Sequence, residues 1–554
     1  MPDGPLRSIT TRFQLLPPLR TPTLTQTLAI LWRSFADWTN RVPTASRAIW
    51  TDGSDRASDR WPIFFRAKRR DDAKNAPPLI ESQSTSEVLE RGYKNARAGE
   101  TCPSTVKIAV MMRALLATCA IALWALLALG AGAVNVPRKN PKVPPGFVTT
   151  SGSRFELDGK PFSFVGANSY WLPLLLTADD VEQTLQTMQQ AGVKVLRTWG
   201  FNAINATELP DALDSNLTYY QVWNSSQWIL NDGPQGLQRL DHVISTAGKH
   251  GIKVILAFTN NWVGYGGSDL FVNWIAGANQ PHDVFFTDPR IIASYRWSDF
   301  FSCRISPADH LSTESYVKTL VERYKDSPDI FAWELMNEAR CLSDTLPAGP
   351  SCVPGSNTLK TWYQQQSDFV RSLDPNHLIT TGGEGHFFWK KPAEYWFDHT
   401  LVSDYNFNGQ AGEDFDHDML LPNIDFGTYH LYPQSWTSLA LTGRWKAGAW
   451  NGLTIMLAAN KPVILEEFGV GGLQNKTDIY PKWVQRALDT HHAIMPWQWG
   501  ELGLTESGGN RIIKYADAIN HGASPNDGNT FYINQTAVWD IFTRAAKIQE
   551  ARSG

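Results

Sequence analysis

The sequence predicts an α/β fold of the (β/α)8, or TIM-barrel, class, built as a single domain. Three observations carry that prediction. Short apolar, β-branched runs ending in polar residues recur eight times, amphipathic helical stretches separate them, and no glycine-rich phosphate fingerprint follows the first run as a doubly wound dinucleotide sheet would require.

The elements follow in order. After a proline-rich linker at 134–145, the segment FVTTSGSRFELDGKPFSFVGAN alternates apolar and polar residues around Asp158-Gly159, the pattern of a hairpin that leads into a strand. The eight expected strands are 163–168, 193–201, 253–260, 330–338, 377–385, 425–432, 461–469 and 494–500. Helical periodicity falls at 178–191, 236–250, 359–373, 437–459 and 479–491, and a last helix at 536–551 closes the domain, which spans 146–554. The stretch 296–315 breaks what otherwise reads as one helix, and it is expected to be an insertion foreign to the native chain, with a genuine surface loop as the alternative.

The N-terminal quarter has a different character. Residues 1–110 carry 17 Lys and Arg against 11 Asp and Glu, without sustained periodicity, whereas the body of the chain is acidic, which argues against nucleic acid as a partner. At Met111-Met112-Arg113 a charge precedes an apolar run that ends in Ala131-Gly132-Ala133, the layout of a secretory signal peptide over 111–133, with a membrane anchor as the rival reading. A signal belongs at a chain start, so 1–110 is expected to be a non-native, disordered upstream extension. Five sequons, at Asn205, Asn216, Asn224, Asn475 and Asn534, all follow the expected cleavage site. Cys341 and Cys352 are a candidate staple, and Cys303 is left without a partner. A secreted, extracellular monomer with no stable membrane association after cleavage is therefore expected.

Each polar cluster sits at the C-terminal end of an expected strand, where a barrel gathers its active site. WELMNE closes the fourth strand with Asn337-Glu338, and ILEEFG closes the seventh with Glu466-Glu467. Hydrolysis of a glycoside with retention needs two carboxyl groups about 5–5.5 Å apart, one protonated and one ionised. Two glutamates at opposed strand ends satisfy that need, although strand alternation alone leaves open which of Glu466 and Glu467 faces inward. A lone buried glutamate at a strand end is more often a structural ion-pair partner; the matched pair is what favours chemistry. The 23 tryptophans suit stacking on sugar rings, although most are expected to fill the core. The histidines show no metal-ligand spacing, so neither a metal nor a cofactor is expected.

TWGFN, WELMNEARC, YHLYP followed by Trp436, ILEEFG and PWQWG, in this order, resemble glycoside hydrolase family 5 of clan A, and within it the fungal endo-β-1,4-mannanases. The resemblance covers residues 146–552 apart from the insertion. It implies Glu338 as acid/base and Glu467 as nucleophile, with Asn337 on the sugar 2-hydroxyl, Tyr432 and His430 beside the nucleophile, and Arg197 keeping the nucleophile ionised. It further implies sugar contacts at Trp497, Trp262, Trp171 and Trp436, and leaving-group contacts at Glu384 and Arg340. The family commonly has proline after the acid/base, whereas this chain has Ala339. The implied activity is endo-hydrolysis of mannan, galactomannan and glucomannan, with a bell-shaped pH profile. The rival readings are an endo-β-1,4-glucanase on the same barrel and a non-catalytic carbohydrate-binding wall protein. Mannan is the implied polysaccharide partner.

Overall fold

The computed structural model describes residues 143–225, 227–296, 316–392, 394–397, 399–432, 459–506 and 522–553. The upstream extension, the signal segment, most of the linker, the insertion with Cys303, most of the expected helix 437–459, and Trp436 lie outside the described residues.

All eight expected strands are present and form one parallel sheet. They are β1 (Val165–Asn168), β2 (Val193–Trp199), β3 (Lys253–Ala257), β4 (Ile330–Glu334), β5 (Leu378–Thr380), β6 (Gly427–Leu431), β7 (Val463–Phe468) and β8 (Ala493–Ile494). Their order is β5-β4-β3-β2-β1-β8-β7-β6, the cyclic sequence of a barrel opened between β5 and β6. That seam is bridged by other bonds. Asp425 N donates to Ile379 O at 2.8 Å, Ile379 N to the Asp425 carboxylate at 2.9 Å, and the Thr380 hydroxyl to Phe426 O at 3.1 Å.

The helices lie where apolar periodicity puts them. Helix α1 (Ala178–Gln190) starts at Thr177, whose side chain accepts from Asp180 N, and α2 (Leu237–Lys249), α3 (Tyr316–Tyr324) and α4 (Thr358–Leu373) each bury an apolar stripe. Helix α5 (Leu473–Asp489) begins six residues before its expected start at 479 and runs through Pro481. Burial of Tyr480, Trp483, Val484 and Ala487 along one face holds the turn that proline alone would have ended. Helix α6 (Thr536–Arg552) closes the domain as expected.

Ahead of β1 the expected hairpin is a three-stranded antiparallel sheet, Val148–Ser151, Arg154–Leu157 and Lys160–Pro161. Asp158 and Gly159 both take positive φ, 51° and 76°, as a tight two-residue hairpin turn demands. The sheet caps the N-terminal end of the barrel. Phe155 inserts among Phe164, Phe331 and Phe426, one aromatic from each of the segment leading into β1, β4 and the segment entering β6, at ring separations of 5.2 to 5.9 Å. Val195, Ile255 and Ile464 complete this apolar layer, so the polar groups of the barrel interior are confined to the opposite end.

Candidate active site

Beyond β4 the chain keeps pairing with the segment after β3 for one more step. Asn337 N donates to Thr259 O at 2.9 Å, and Asn337 forms a parallel bridge with Asn260. Glu338 then takes φ 53°, a left-handed conformation uncommon for a residue with a Cβ, and its N–H is fixed on Gly382 O at 2.9 Å. Gly382 is itself required there: its φ is 74°, and a Cβ would collide with Met336 O and the Glu334 side chain. Ala339 stands where the family commonly has proline, and the turn is fastened by other means. Arg340 N donates to Asn261 Oδ1 at 2.9 Å, Cys341 N to Ala411 O at 2.7 Å, and Cys341 and Cys352 form the disulfide.

The open register between Glu466 and Glu467 is decided by a bulge. Tyr429 pairs with Leu465, but the next residue, His430, pairs with Glu467, so Glu466 is skipped. Glu467 thereby lines the cleft, while Glu466 is fully buried behind it, its carboxylate 3.3 Å from His430 Nε2 and 3.6 Å from Arg197 Nε.

The two cleft carboxylates meet across one imidazole. His430 Nδ1 is 2.7 Å from Glu338 Oε1 and 3.6 Å from Glu467 Oε2, so these oxygens lie within about 6 Å of each other. That distance suits the short separation of retaining pairs and falls below the ~6.5–9.5 Å that leaves room for a water in inverting ones. Trp262 Nε1 donates to Glu338 Oε2 at 2.6 Å, and the Tyr432 hydroxyl donates to Glu467 Oε2 at 2.6 Å. The other Glu467 oxygen accepts from Arg197 Nη1. Arg197 Nη2 donates to Asn337 Oδ1 at 2.7 Å, and Asn337 Nδ2 to Asn260 Oδ1 at 2.9 Å.

Charges in this buried space are set by competition between desolvation and neighbours. Burial pushes the Glu467 carboxyl above its ordinary value, and His430 and Arg197 pull against it. The expectation that Arg197 favours the ionised form thus describes one side of a contest in which burial is the larger effect. Burial also works against a charged His430, yet Glu467, Glu338 and Glu466 around it hold its pKa well above the imidazole range. A ring made more basic by its carboxylates therefore bridges the pair. Glu384 is buried too, but His386 and the Arg340 fork hold it well below the usual carboxylate range.

A cleft of about 670 Å³ opens over these groups. Of the residues singled out in the sequence, Glu338, Asn337, Glu467, Tyr432, Trp497, Trp262, Glu384 and Arg340 line it. Arg197 and His430 lie beneath the wall, 1% and 2% exposed. Trp171 does not belong with them. It is 1% exposed within the main core, because it enters the short 3-10 turn Leu172–Leu174 facing inward, and its neighbour Tyr170 takes the place on the cleft wall.

Sequence reasoning also passed over Trp199, Tyr265, Asp344, Asp527 and Asn529, which share the lining. Trp199 stood within the quoted TWGFN motif, so the signal was present. Asp527 and Asn529 lie past the last strand, where no periodicity marks them. Asp527 accepts from Trp497 Nε1 at 2.7 Å, and Trp497 stacks on Tyr170 at 5.4 Å and 12°. Donor atoms of Glu338, Glu384 and His430 come within 4.8 Å of one another, as a cation site would require. Both ring nitrogens of His430 already face carboxylates, and Arg340 clamps Glu384, so these groups already have partners within the protein.

The cleft can therefore present one carboxyl group that shares a hydrogen bond with the His430 ring and one aimed by Tyr432 and Arg197, with aromatic faces to either side. Residues 145–492 match the family model described as GH family 5 beta-mannosidase-like. An Aspergillus oryzae protein named "Probable mannan endo-1,4-beta-mannosidase A" is 35% identical over 401 residues, which cover 72% of this chain and 86% of that one. The endo-1,4-beta-mannanase structure from Rhizomucor miehei is 32% identical with a TM-score of 0.56, over 73% of this chain and 99% of its own. The endo-beta-1,4-mannanase of Thermotoga petrophila is 28% identical with a TM-score of 0.57, over 71% and 78% respectively.

Proposed function

The chain belongs to glycoside hydrolase family 5, in its β-mannosidase-like group, and on that premise we propose that it cuts internal β-1,4 linkages of mannan, galactomannan and glucomannan with retention of anomeric configuration. Glu338 protonates the leaving glycosidic oxygen while Glu467 attacks the anomeric carbon from the opposite face, giving a covalent mannosyl-enzyme. A water then enters, Glu338 removes its proton, and the ester to Glu467 breaks. Arg197 and Tyr432 hold the Glu467 oxygens in line for attack, and Asn337 takes the 2-hydroxyl, where contact strengthens as charge develops. Trp497 and Trp262 supply flat faces within the cleft, and Glu384 with Arg340 forms its polar wall on the leaving-group side.

One observation carries this reading: His430 Nδ1 sits between the Glu338 and Glu467 carboxylates, at 2.7 and 3.6 Å. The same reading makes the protein an exported one. The 111–133 segment, the sequons and the Cys341–Cys352 disulfide support secretion, with 1–110 and 296–315 as segments foreign to the mature chain.

The test is cleavage of β-1,4-mannohexaose followed by NMR of the new reducing ends. Internal cleavage with the β-anomer formed first is expected. First appearance of the α-anomer overturns retention, and an uncut oligosaccharide overturns the substrate. Labelling with a 2-deoxy-2-fluoro-mannoside should place the sugar on the peptide containing Glu467.

A further inference from the structure

Glu334 ends β4, is fully buried, and is not among the residues that line the cleft, yet it is tied to the residue that grips Glu467. Arg197 Nε donates to Glu334 Oε2 at 2.7 Å and Nη2 to Glu334 Oε1 at 2.6 Å, a bidentate fork. The remaining guanidinium hydrogens are also used. Nη1 donates to Asn168 Oδ1 at 3.1 Å and to Glu467, and Nη2 to Asn337 Oδ1 at 2.7 Å. All five donors of the planar group thus have acceptors. A plane pinned along its Nε–Nη2 edge has no freedom left at Nη1, so the fork decides where the Glu467 contact falls.

Glu466 offers a second carboxylate near Nε, but at 3.6 Å and single-pointed it cannot fix the plane. Asn168 is engaged elsewhere as well: its Nδ2 donates to Glu466 O at 2.7 Å, which ties β1 to β7. The bidentate contact comes from Glu334 alone among the described residues.

We propose that Glu334 is a positioning residue, which, through its two-point grip on Arg197, aims that guanidinium at the Glu467 carboxylate and at Asn337. The proposal rests on the catalytic reading given above, in which Glu467 is the nucleophile. Glu334 touches no sugar. Its contribution is the angle at which the nucleophile is held, and a misplacement of about 1 Å at such a site costs roughly a hundredfold in rate.

Two variants of the full chain break the fork in different ways. Glu334→Gln keeps the side-chain length but leaves a single acceptor and turns an amide NH2 toward a guanidinium N–H, so the grip becomes single-pointed, whereas Glu334→Asp keeps both oxygens and withdraws them by one methylene. With mannohexaose, both variants should lose about a hundredfold in kcat with KM changed less than about threefold. A crystal structure of the aspartate variant should show Arg197 Nη1 drawn off Glu467. Either variant at the kcat of the parent, or an Arg197 that has not moved, overturns the proposal. A parent enzyme that leaves mannohexaose intact overturns the functional reading instead, and the variant's structure still decides the positioning.

Discussion

The two ends of the barrel are built from the same strands and have opposite chemistry. At the N-terminal end, β4 contributes Phe331, which packs in an apolar layer with Phe155, Phe164 and Phe426. Three residues further along the same strand, Glu334 grips Arg197 beside two other carboxyl groups, those of Glu466 and Glu467. The first arrangement gains free energy from burial. The second costs it, because like charges are crowded in a low-dielectric interior, and it persists because the rest of the fold holds it. Stability and function are therefore separable along one strand, and variants at the two ends should fail in different ways.

The largest effect is expected at the charged end. Glu467→Ala should lower kcat about 10⁴-fold or more, and Glu338→Ala roughly a hundred- to ten-thousand-fold, with unfolding midpoints equal to the parent or higher. A fall in stability that parallels the fall in rate would break the separation. For the parent, the raised Glu467 pKa places the acid limb of kcat/KM above the ~4.3 of an ordinary glutamate. Activity should be lost as pH falls through that limb.

At the opposite end Phe155→Ala should cost about 3–5 kcal/mol in denaturant unfolding while kcat/KM of the folded fraction stays as it was. A change in substrate turnover there would mean that the aromatic layer reaches the cleft mechanically.

An intermediate effect is expected from the wall of the cleft. Glu413, buried behind the Glu384 loop, accepts from Glu384 N and His386 N at 3.2 Å each, and burial pushes its carboxyl up to about 8; burial likewise raises Asp418 to about 7. The folded state holds these protons where the unfolded chain has released them. Their stabilising contribution is full below the ordinary carboxylate pKa and is lost as pH rises through about 7 to 8. Unfolding free energy should thus decline from pH 5 to pH 8, and Glu413→Gln, which keeps an acceptor for both amides, should flatten that decline by about 2 kcal/mol.

The smallest effect belongs to the rim. Asp527→Ala removes the acceptor for Trp497 Nε1 and should raise KM about fivefold, the equivalent of one hydrogen bond's net contribution, with kcat little altered. Oligosaccharide titration checks it.

The contrast between the ends also explains what could be read without coordinates. Strand identity is written locally: β7 opens on the apolar run Val463-Ile464-Leu465 and reaches Glu466-Glu467, and seven of the eight strands fall within their expected ranges, β8 starting one residue early at Ala493. The pairing of WELMNE with ILEEFG needed only the rule that a barrel's loops converge at one end. Which of Glu466 and Glu467 faces the cleft was legible only through the family resemblance and not from strand alternation, because a one-residue bulge opposite His430 sets it, and a bulge depends on the partner strand. Trp171 was misplaced for a related reason. In the turn after β1 there is no strand alternation to follow, and two adjacent aromatics divide between core and cleft according to a backbone that the sequence does not spell out. Glu334 was overlooked because its partner Arg197 lies 137 positions away.

The seam between β5 and β6 has a consequence of its own. Those neighbours are joined by the Asp425 side chain and a few bonds at its flanks, and β5 is only three residues long. The segment that departs there carries Glu384, Arg340's counter-ion, before it returns. Length gained or lost in that excursion strains none of the barrel's own ladders, so the barrel tolerates divergence there as long as Ala411 still reaches Cys341 N and holds the turn after Glu338.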